Sequence, residues 1–169
     1  GSGYRLAMER LLIITTGGTI DKIYFDDKSD YQVGEPQIGP TFAMQHVAFE
    51  WEINALMRKD SLHFNDADRQ LIREAVLASE QDHVLITHGT DSMVETAGFL
   101  ADIKQKTIVL TGALEPALFK TSDAVFNIGC AVAAVQILEP GIYIAMNGRV
   151  FPHDRVRKNV RMGRFEEID

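Results

Sequence analysis

Four short apolar runs, each broken off at a glycine turn, constrain this chain more than any other feature. Leu11–Thr15 precedes Gly17-Gly18, Val84–Thr87 precedes Gly89, Thr107–Leu110 precedes Gly112, and Ile142–Met146 precedes Gly148. Runs of Ile, Val and Leu without polar alternation suit strands buried on both faces, which belong to parallel sheets. A weaker fifth strand is expected over Trp51–Arg58. Helical patterns lie between the runs. Asp66–Ser79 repeats apolar residues at three- and four-residue spacing, with Ala67, Leu71, Ile72, Ala75 and Val76 on one face. Met93–Ile103 is shorter and amphipathic. Ser122–Leu138 is apolar nearly all round, so it should lie between the sheet and a second surface, for which a subunit interface is the natural candidate. Cys130 on this helix reads as a small core residue. The alternation predicts an α/β fold, an open and mostly parallel sheet with helices on both faces.

The 169 residues suit one domain, and 46% hydrophobic content argues against disorder for most of the chain. Residues 1–8 read as an appended or disordered N-terminus, with Met8 a candidate native start. Residues 9–152 read as the α/β catalytic domain, and 153–169 as a basic C-terminal segment. Six of the 17 basic residues, Arg149, Arg155, Arg157, Lys158, Arg161 and Arg164, fall within sixteen positions there. The rest is strongly acidic within a net charge of −7, which argues against general nucleic-acid binding. The strip itself is ordinarily a solvated face, although it could meet an anion or a neighbouring subunit. The single cysteine excludes an intrachain disulfide and a cysteine zinc site. No apolar run approaches the roughly 20 residues of a membrane span, and no segment before Leu11 reads as a signal peptide, so a cytoplasmic location is expected.

In open parallel sheets ligands bind beyond the carboxyl ends of the strands, where three glycine turns fall. Thr15-Thr16-Gly17-Gly18-Thr19-Ile20 has neither a dinucleotide fingerprint nor a phosphate-loop Gly-Lys-Ser/Thr. It is a tight strand exit that displays Thr19. His88-Gly89-Thr90-Asp91-Ser92 opens a helix, and Ser92 with Glu95 reads as a capping box. Capping requires neither Thr90 nor Asp91, which are free to face Thr19 across the sheet edge. His88 reads as a buried, hydrogen-bonded strand-end residue, and the five histidines show no metal-ligand spacing. Asp60-Ser61 is either a local Asx turn or a ligand contact. Lys106 stands at the amino end of its strand, normally an exposed position, and a functional role requires its side chain to run under the sheet edge. Tyr24 and Tyr31 lie in a polar stretch from Asp21 to Gly34, where a tyrosine could close over a site.

Together these residues resemble the bacterial-type L-asparaginases, over about Leu11 to Phe151. The matching segments are Thr16-Gly17-Gly18-Thr19-Ile20, Tyr31-x-Val33-Gly34, Asp60-Ser61, His88-Gly89-Thr90-Asp91-Ser92-Met93-x-Glu95-Thr96, and Lys106 leading into Thr111-Gly112-Ala113. The resemblance covers the family's N-terminal domain and implies a short, single-domain form. It further implies hydrolysis of asparagine to aspartate and ammonia, with Thr19 as nucleophile and Tyr24 or Tyr31 as its neighbour. Thr90, Asp91 and Lys106 would form the second catalytic group. Gly18, Asp60, Ser61, Gly89, Thr90 and Asp91 would hold substrate, with backbone N–H groups near Gly18 and Gly89–Thr90 supplying an oxyanion site. No cofactor and no metal is implied. Departures are Glu115 where the family often has arginine, and Ala124-Val125 where it has Gly-Pro. The longer enzymes complete each site from a partner's second domain, for which the strip Arg155–Arg164 of another subunit is a candidate substitute.

The expectation is therefore a homo-oligomeric (dimeric or tetrameric) L-asparaginase with some glutaminase activity, since one methylene gives only about 1–3 kcal/mol of discrimination. The alternatives are a non-catalytic small-ligand or nucleotide-binding module, and an ammonia-supplying subunit of an amide-transfer complex.

Overall fold

The computed structural model describes residues 8–25 and 30–169, with the backbone alone for 24, 25, 30 and 31. Strand β1 (Arg10–Gly17) leads through a 3-10 turn (Thr19–Asp21) into a hairpin of β2 (Lys22–Phe25) and β3 (Asp30–Val33). Helix α1 (Ile38–Met44), strand β4 (Glu50–Lys59), a second 3-10 turn (Ser61–His63) and helix α2 (Asp66–Ala78) follow. Next come β5 (His83–Thr87), α3 (Met93–Phe99), β6 (Thr107–Thr111), α4 (Ala124–Ile137) and β7 (Gly141–Met146). The chain closes with β8 (Arg149–Pro152) and a hairpin of β9 (Val156–Asn159) and β10 (Arg164–Glu167).

Among the described residues six strands form one sheet in the order β4-β1-β5-β6-β7-β8, parallel except for β8 at its edge. This is the architecture expected from the apolar runs, and those runs are its inner strands. β1 is buried from Leu11 to Gly17, and β5, β6 and most of β7 are buried likewise. β4 is half-exposed along its length, which is why its sequence signal is weak. Alternate residues of each inner strand feed two cores. On one face Leu12, Ile14, Ile86 and Ile108 meet Ile72 and Val76 of α2 and Met93 and Ala97 of α3. On the other, Leu11, Ile13, Leu85 and Val109 meet Ile38 and Phe42 of α1 and Ile128, Ala131 and Val135 of α4.

Strand order places the edge at which open α/β sheets bind ligands. β1 connects leftward to β4 through α1 on one face, whereas β5 connects rightward to β6 through α3 on the opposite face. The connections diverge between β1 and β5, and that divergence opens a crevice at their carboxyl ends. The connection β6–α4–β7 also runs rightward but puts its helix on the α1 face. It is thus opposite in hand to the other three crossovers, a rare arrangement for parallel strands. Its loop passes over the carboxyl edge, where the Ala117 N–H donates to the Ile20 carbonyl at 3.0 Å.

α4 buries one face and exposes Val125, Phe126 and Ile137 on the other; Cys130 is half-buried against the core. The basic C-terminal segment is not simply a solvated face. β9 and β10 dock through Val156 and Phe165, both buried in the α2–α3 core. The Phe165 N–H also donates to Asn147 Oδ1 at 2.7 Å. Among the described residues no helix is long and apolar enough to cross a membrane.

Phe165 is the side chain that ties this hairpin to the sheet. Phe165→Ala is expected to cost about 3 kcal/mol, as for other buried aromatic truncations. Chemical denaturation measures that loss, and amide exchange should show residues 156–167 opening well before β5 and β6 do.

Candidate active site

The crevice is built by backbone contact. After β1 the chain turns through Gly17 and Gly18 at φ of 97° and 86°, conformations that glycine alone adopts without strain. A Cβ on Gly18 would lie 2.6 Å from the Gly89 nitrogen, so the Thr19 turn and the Thr90 turn touch main chain to main chain. A Cβ on Gly89 would likewise lie 2.7 Å from Ser61 Cβ. Three loops, after β1, β4 and β5, thereby bring residues 19, 61 and 90 to neighbouring positions. Gly112, after β6, closes on the His88 carbonyl from the far side.

The Thr19 turn is held from every direction. The Gly18 N–H donates to the Lys59 carbonyl at 3.1 Å. That N–H is therefore committed, which removes Gly18 as an oxyanion donor. Ile20 is fully buried among Leu11, Ile13 and α4 residues. Asp21 accepts the Gln37 N–H on Oδ1 at 2.9 Å, and its carbonyl accepts the Gly34 N–H at 2.8 Å. Side chain and main chain of Asp21 together tie the segment Gly34–Gln37 after the β2–β3 hairpin back to the Thr19 turn. Burial pushes the Asp21 pKa up to about 6, against the lowering pull of the Gln37 N–H and the Arg58 charge. The backbone pairs Tyr24 with Tyr31 across the hairpin, while both side chains, and so their expected role, lie outside the described residues.

Asp60 and Ser61 form the local turn that one reading of their sequence gives. Asp60 Oδ1 accepts the Leu62 N–H at 3.0 Å, the local turn, and Oδ2 faces Lys22 Nζ at 3.6 Å. Ser61 is buried beside Gly89. Ser92 occupies the N-cap position of α3 but makes no side-chain cap. Its hydroxyl donates instead to the Ser61 carbonyl at 2.7 Å, and its N–H donates to Ser61 Oγ at 3.3 Å. The expected capping box gives way to a clamp between two loops of the site.

His88 is fully buried, with Nε2 against Thr96 Oγ1 and Nδ1 against the Gly89 carbonyl, both at 2.7 Å. Phe64 stacks edge-on against the ring. Burial holds the imidazole pKa down at about 4, so it stays neutral and anchors the turn, as its place at the strand end suggests.

The lysine of the cluster is not Lys106. That residue sits before the amino end of β6, where its ammonium donates to the Ser79 carbonyl at 2.9 Å. Five strand residues at about 3.3 Å each separate it from the carboxyl edge, beyond the reach of any lysine side chain. Lys158 of β9 takes the place instead. Its ammonium donates to Thr90 Oγ1 at 2.8 Å and to Asp91 Oδ1 at 2.9 Å. The basic strip thus serves the site of its own chain. Lys158 carried a signal only as one member of a basic run, and no spacing rule connects position 158 to position 90.

An open, mostly parallel sheet with the Thr90 hydroxyl, the Lys158 ammonium and the Asp91 carboxylate gathered at its switch point defines the class: an α/β protein with a polar cluster at the carboxyl edge. The family model for the N-terminal part of asparaginase matches residues 10–165, and the chain belongs to that family. It is 28% identical to the L-asparaginase of Thermococcus kodakarensis, over 95% of this chain and 51% of that protein. It is 30% identical to L-asparaginase 2 of Escherichia coli, over 93% and 48% respectively. The solved T. kodakarensis enzyme superposes with a TM-score of 0.84 at 27% identity, covering 94% of this chain and 51% of that one. A probable cytoplasmic L-asparaginase from Campylobacter jejuni gives 0.70 at 31%, with 94% and 51% covered. The chain spans about half the length of the curated relatives it matches.

Asp21 makes the fold pH-sensitive. Its unfolded carboxyl ionises near the ordinary 3.8 and its folded one at about 6. The unfolded state therefore loses the proton first, and stability falls as pH rises through that window. Asp21→Asn keeps an acceptor for Gln37 without the charge. It should gain up to about 3 kcal/mol above about pH 7, and nothing below about pH 4. Urea denaturation across this range reads the difference.

Proposed function

We propose that this chain is the catalytic part of an L-asparagine amidohydrolase, releasing aspartate and ammonia through a threonine nucleophile. The observation that carries the reading is Lys158, largely shielded, hydrogen-bonded to both Thr90 and Asp91. A hydroxyl is a weak nucleophile and proton relay unless an adjacent group bears the cost of its deprotonation. An ammonium 2.8 Å from Thr90 Oγ1 stabilises the alkoxide directly, and Asp91 holds that ammonium in place. A binding module has no use for such activation.

In this reading Thr19 Oγ bonds to the side-chain amide carbon, and the C–N bond breaks as the nitrogen takes up the hydroxyl proton and leaves as ammonia. Tyr24 or Tyr31 from the hairpin serves as the proton's intermediate holder. Water then bonds to the same carbon, the Thr19 ester breaks, and aspartate departs. Thr90, with Lys158 and Asp91, orients and activates from the opposite side. Backbone N–H groups at Gly89–Thr90 remain the candidate oxyanion donors, and Asp60, Ser61 and Asp91 the contacts to the amino-acid head. Glutamine is a minor substrate, since one methylene is weakly discriminated. The exposed apolar face of α4 supports self-association into a dimer or tetramer. The lone cysteine and the C. jejuni relative's name support a cytoplasmic setting.

Ammonia release from asparagine should fall about 10²–10⁴-fold in Thr19→Ala, Thr90→Ala and Lys158→Met, the range for loss of positioned acid–base or nucleophilic groups. Lys106→Met should stay within about threefold of the parent, because its ammonium serves the opposite edge of the sheet. Undiminished turnover in Thr19→Ala reassigns the nucleophile.

A further inference from the structure

Among the described residues, three lysine and arginine side chains near the crevice are held by hydrogen bonds. Lys158 is hydrogen-bonded to Thr90 and Asp91, Lys59 to Asp68 at 2.7 Å, and Arg58 to Glu35. Lys22 differs. Its ammonium stands 3.6 Å from Asp60 Oδ2, close enough for attraction and too far for a hydrogen bond. Both side chains are about 30% exposed (27% and 32%). Each therefore keeps hydrogen-bonding capacity facing outward: ammonium donors on Lys22, and Oδ2 on Asp60, whose Oδ1 is used by the Leu62 N–H.

The location is as informative as the spacing. Lys22 follows the Thr19 turn directly, and its own N–H donates to the Thr19 carbonyl. Asp60 immediately precedes Ser61, which lies against Gly89 and is clamped by Ser92. The loosely held pair therefore bridges the two loops that flank the proposed nucleophile. An adjacent cation and anion with unused donors and acceptors complement a ligand carrying the opposite charges on adjacent atoms. A free α-amino acid presents that arrangement, its ammonium and carboxylate being attached to one carbon.

We propose that Lys22 is a specificity-determining residue that, with Asp60, reads the zwitterionic head of the substrate. Lys22 takes the α-carboxylate and Asp60 the α-ammonium. This rests on the amidohydrolase reading and adds to it a substrate class: free amino-acid amides, in preference to amides whose α-carboxylate is blocked. The hairpin that begins at Lys22 is drawn by the same contact to the loop after β4, the floor loop of the crevice, so the charge pair also ties substrate recognition to the Thr19 turn.

The test compares parent, Lys22→Gln and Lys22→Arg on L-asparagine and on asparagine amide, which lacks the α-carboxylate. Calorimetric titration with aspartate accompanies the kinetics. The proposal expects Lys22→Gln to raise KM for asparagine, and Kd for aspartate, by about tenfold or more, with kcat within about threefold. KM for the amide should be unchanged, so that discrimination collapses, and Lys22→Arg should restore much of it. Equal losses on both substrates, an unchanged Kd for aspartate, or a fall in kcat at constant KM would overturn it. If the parent releases no ammonia, the hydrolytic reading fails, and the aspartate titration alone then judges Lys22. Thermal melts of each variant identify any loss due to misfolding, in which case Lys22→Arg carries the comparison.

Discussion

The contact between Gly18 and Gly89 governs the rest of this site. Two loops leave the sheet on opposite faces at the switch point, and side chains would ordinarily hold them apart. Without side chains the two main chains meet, and a Cβ would have to sit 2.6 Å from a backbone nitrogen. Gly89 repeats the device against Ser61. The backbone positions of residues 19, 61 and 90 are therefore set by main-chain contact, leaving only the side-chain rotamer to aim each hydroxyl. The strain of a left-handed turn is confined to glycines, where it costs least.

Charge is used at this edge to join segments that the sheet does not join. Lys158 ties the C-terminal hairpin to the turn after β5, Lys59 ties β4 to α2, and Lys22 ties the β2–β3 hairpin to the floor loop. Exposed ion pairs of this kind contribute little to overall stability. Their consequence is geometric, since each holds together two segments that the sheet does not pair. Two buried titratable groups lie just beneath. His88 stays neutral because a charge there has no solvent, and Asp21 is left poised near 6 between desolvation and the Gln37 N–H. The buried layer is set by hydrogen bonds, the outer layer by charge.

The inner sheet was legible because burial on both faces writes itself as uninterrupted Ile, Val and Leu, and three of the four helices because each carries a recognisable stripe or apolar density. α1 escaped notice because it has only seven residues and includes Gly39 and Pro40. The two hairpins escaped because each takes its support from elsewhere. β9 and β10 bury little beyond Val156 and Phe165, and their polar composition reads as a solvated run. Thr19, Thr90 and Asp91 were visible as residues that turn chemistry does not require. Ser92 was misread because a cap and an interloop clamp demand the same residue at the same position, and only its partner, the Ser61 carbonyl, distinguishes them.

Lys158 shows why the remainder could not be read locally. A parallel sheet has a chemical edge and a structural edge, and a residue at the amino end of a five-residue strand is about 16 Å from the chemistry whatever its neighbours in sequence. Lys106 therefore had to be structural once β6 was assigned. The cation beside Thr90 comes from a segment that reaches the carboxyl edge from outside the parallel run. β8, antiparallel at the edge of the sheet, turns the chain back, and Asn147 and Phe165 hold the following hairpin there. Completion of the Thr90 cluster thus depends on docking of 156–167, an element with only two buried side chains, Val156 and Phe165. Local opening of that hairpin removes the ammonium while leaving the sheet, the glycine contacts and both threonines in place. Integrity of the Thr90 cluster and global stability are therefore separable in this chain, and the hairpin's docking equilibrium is the quantity that separates them.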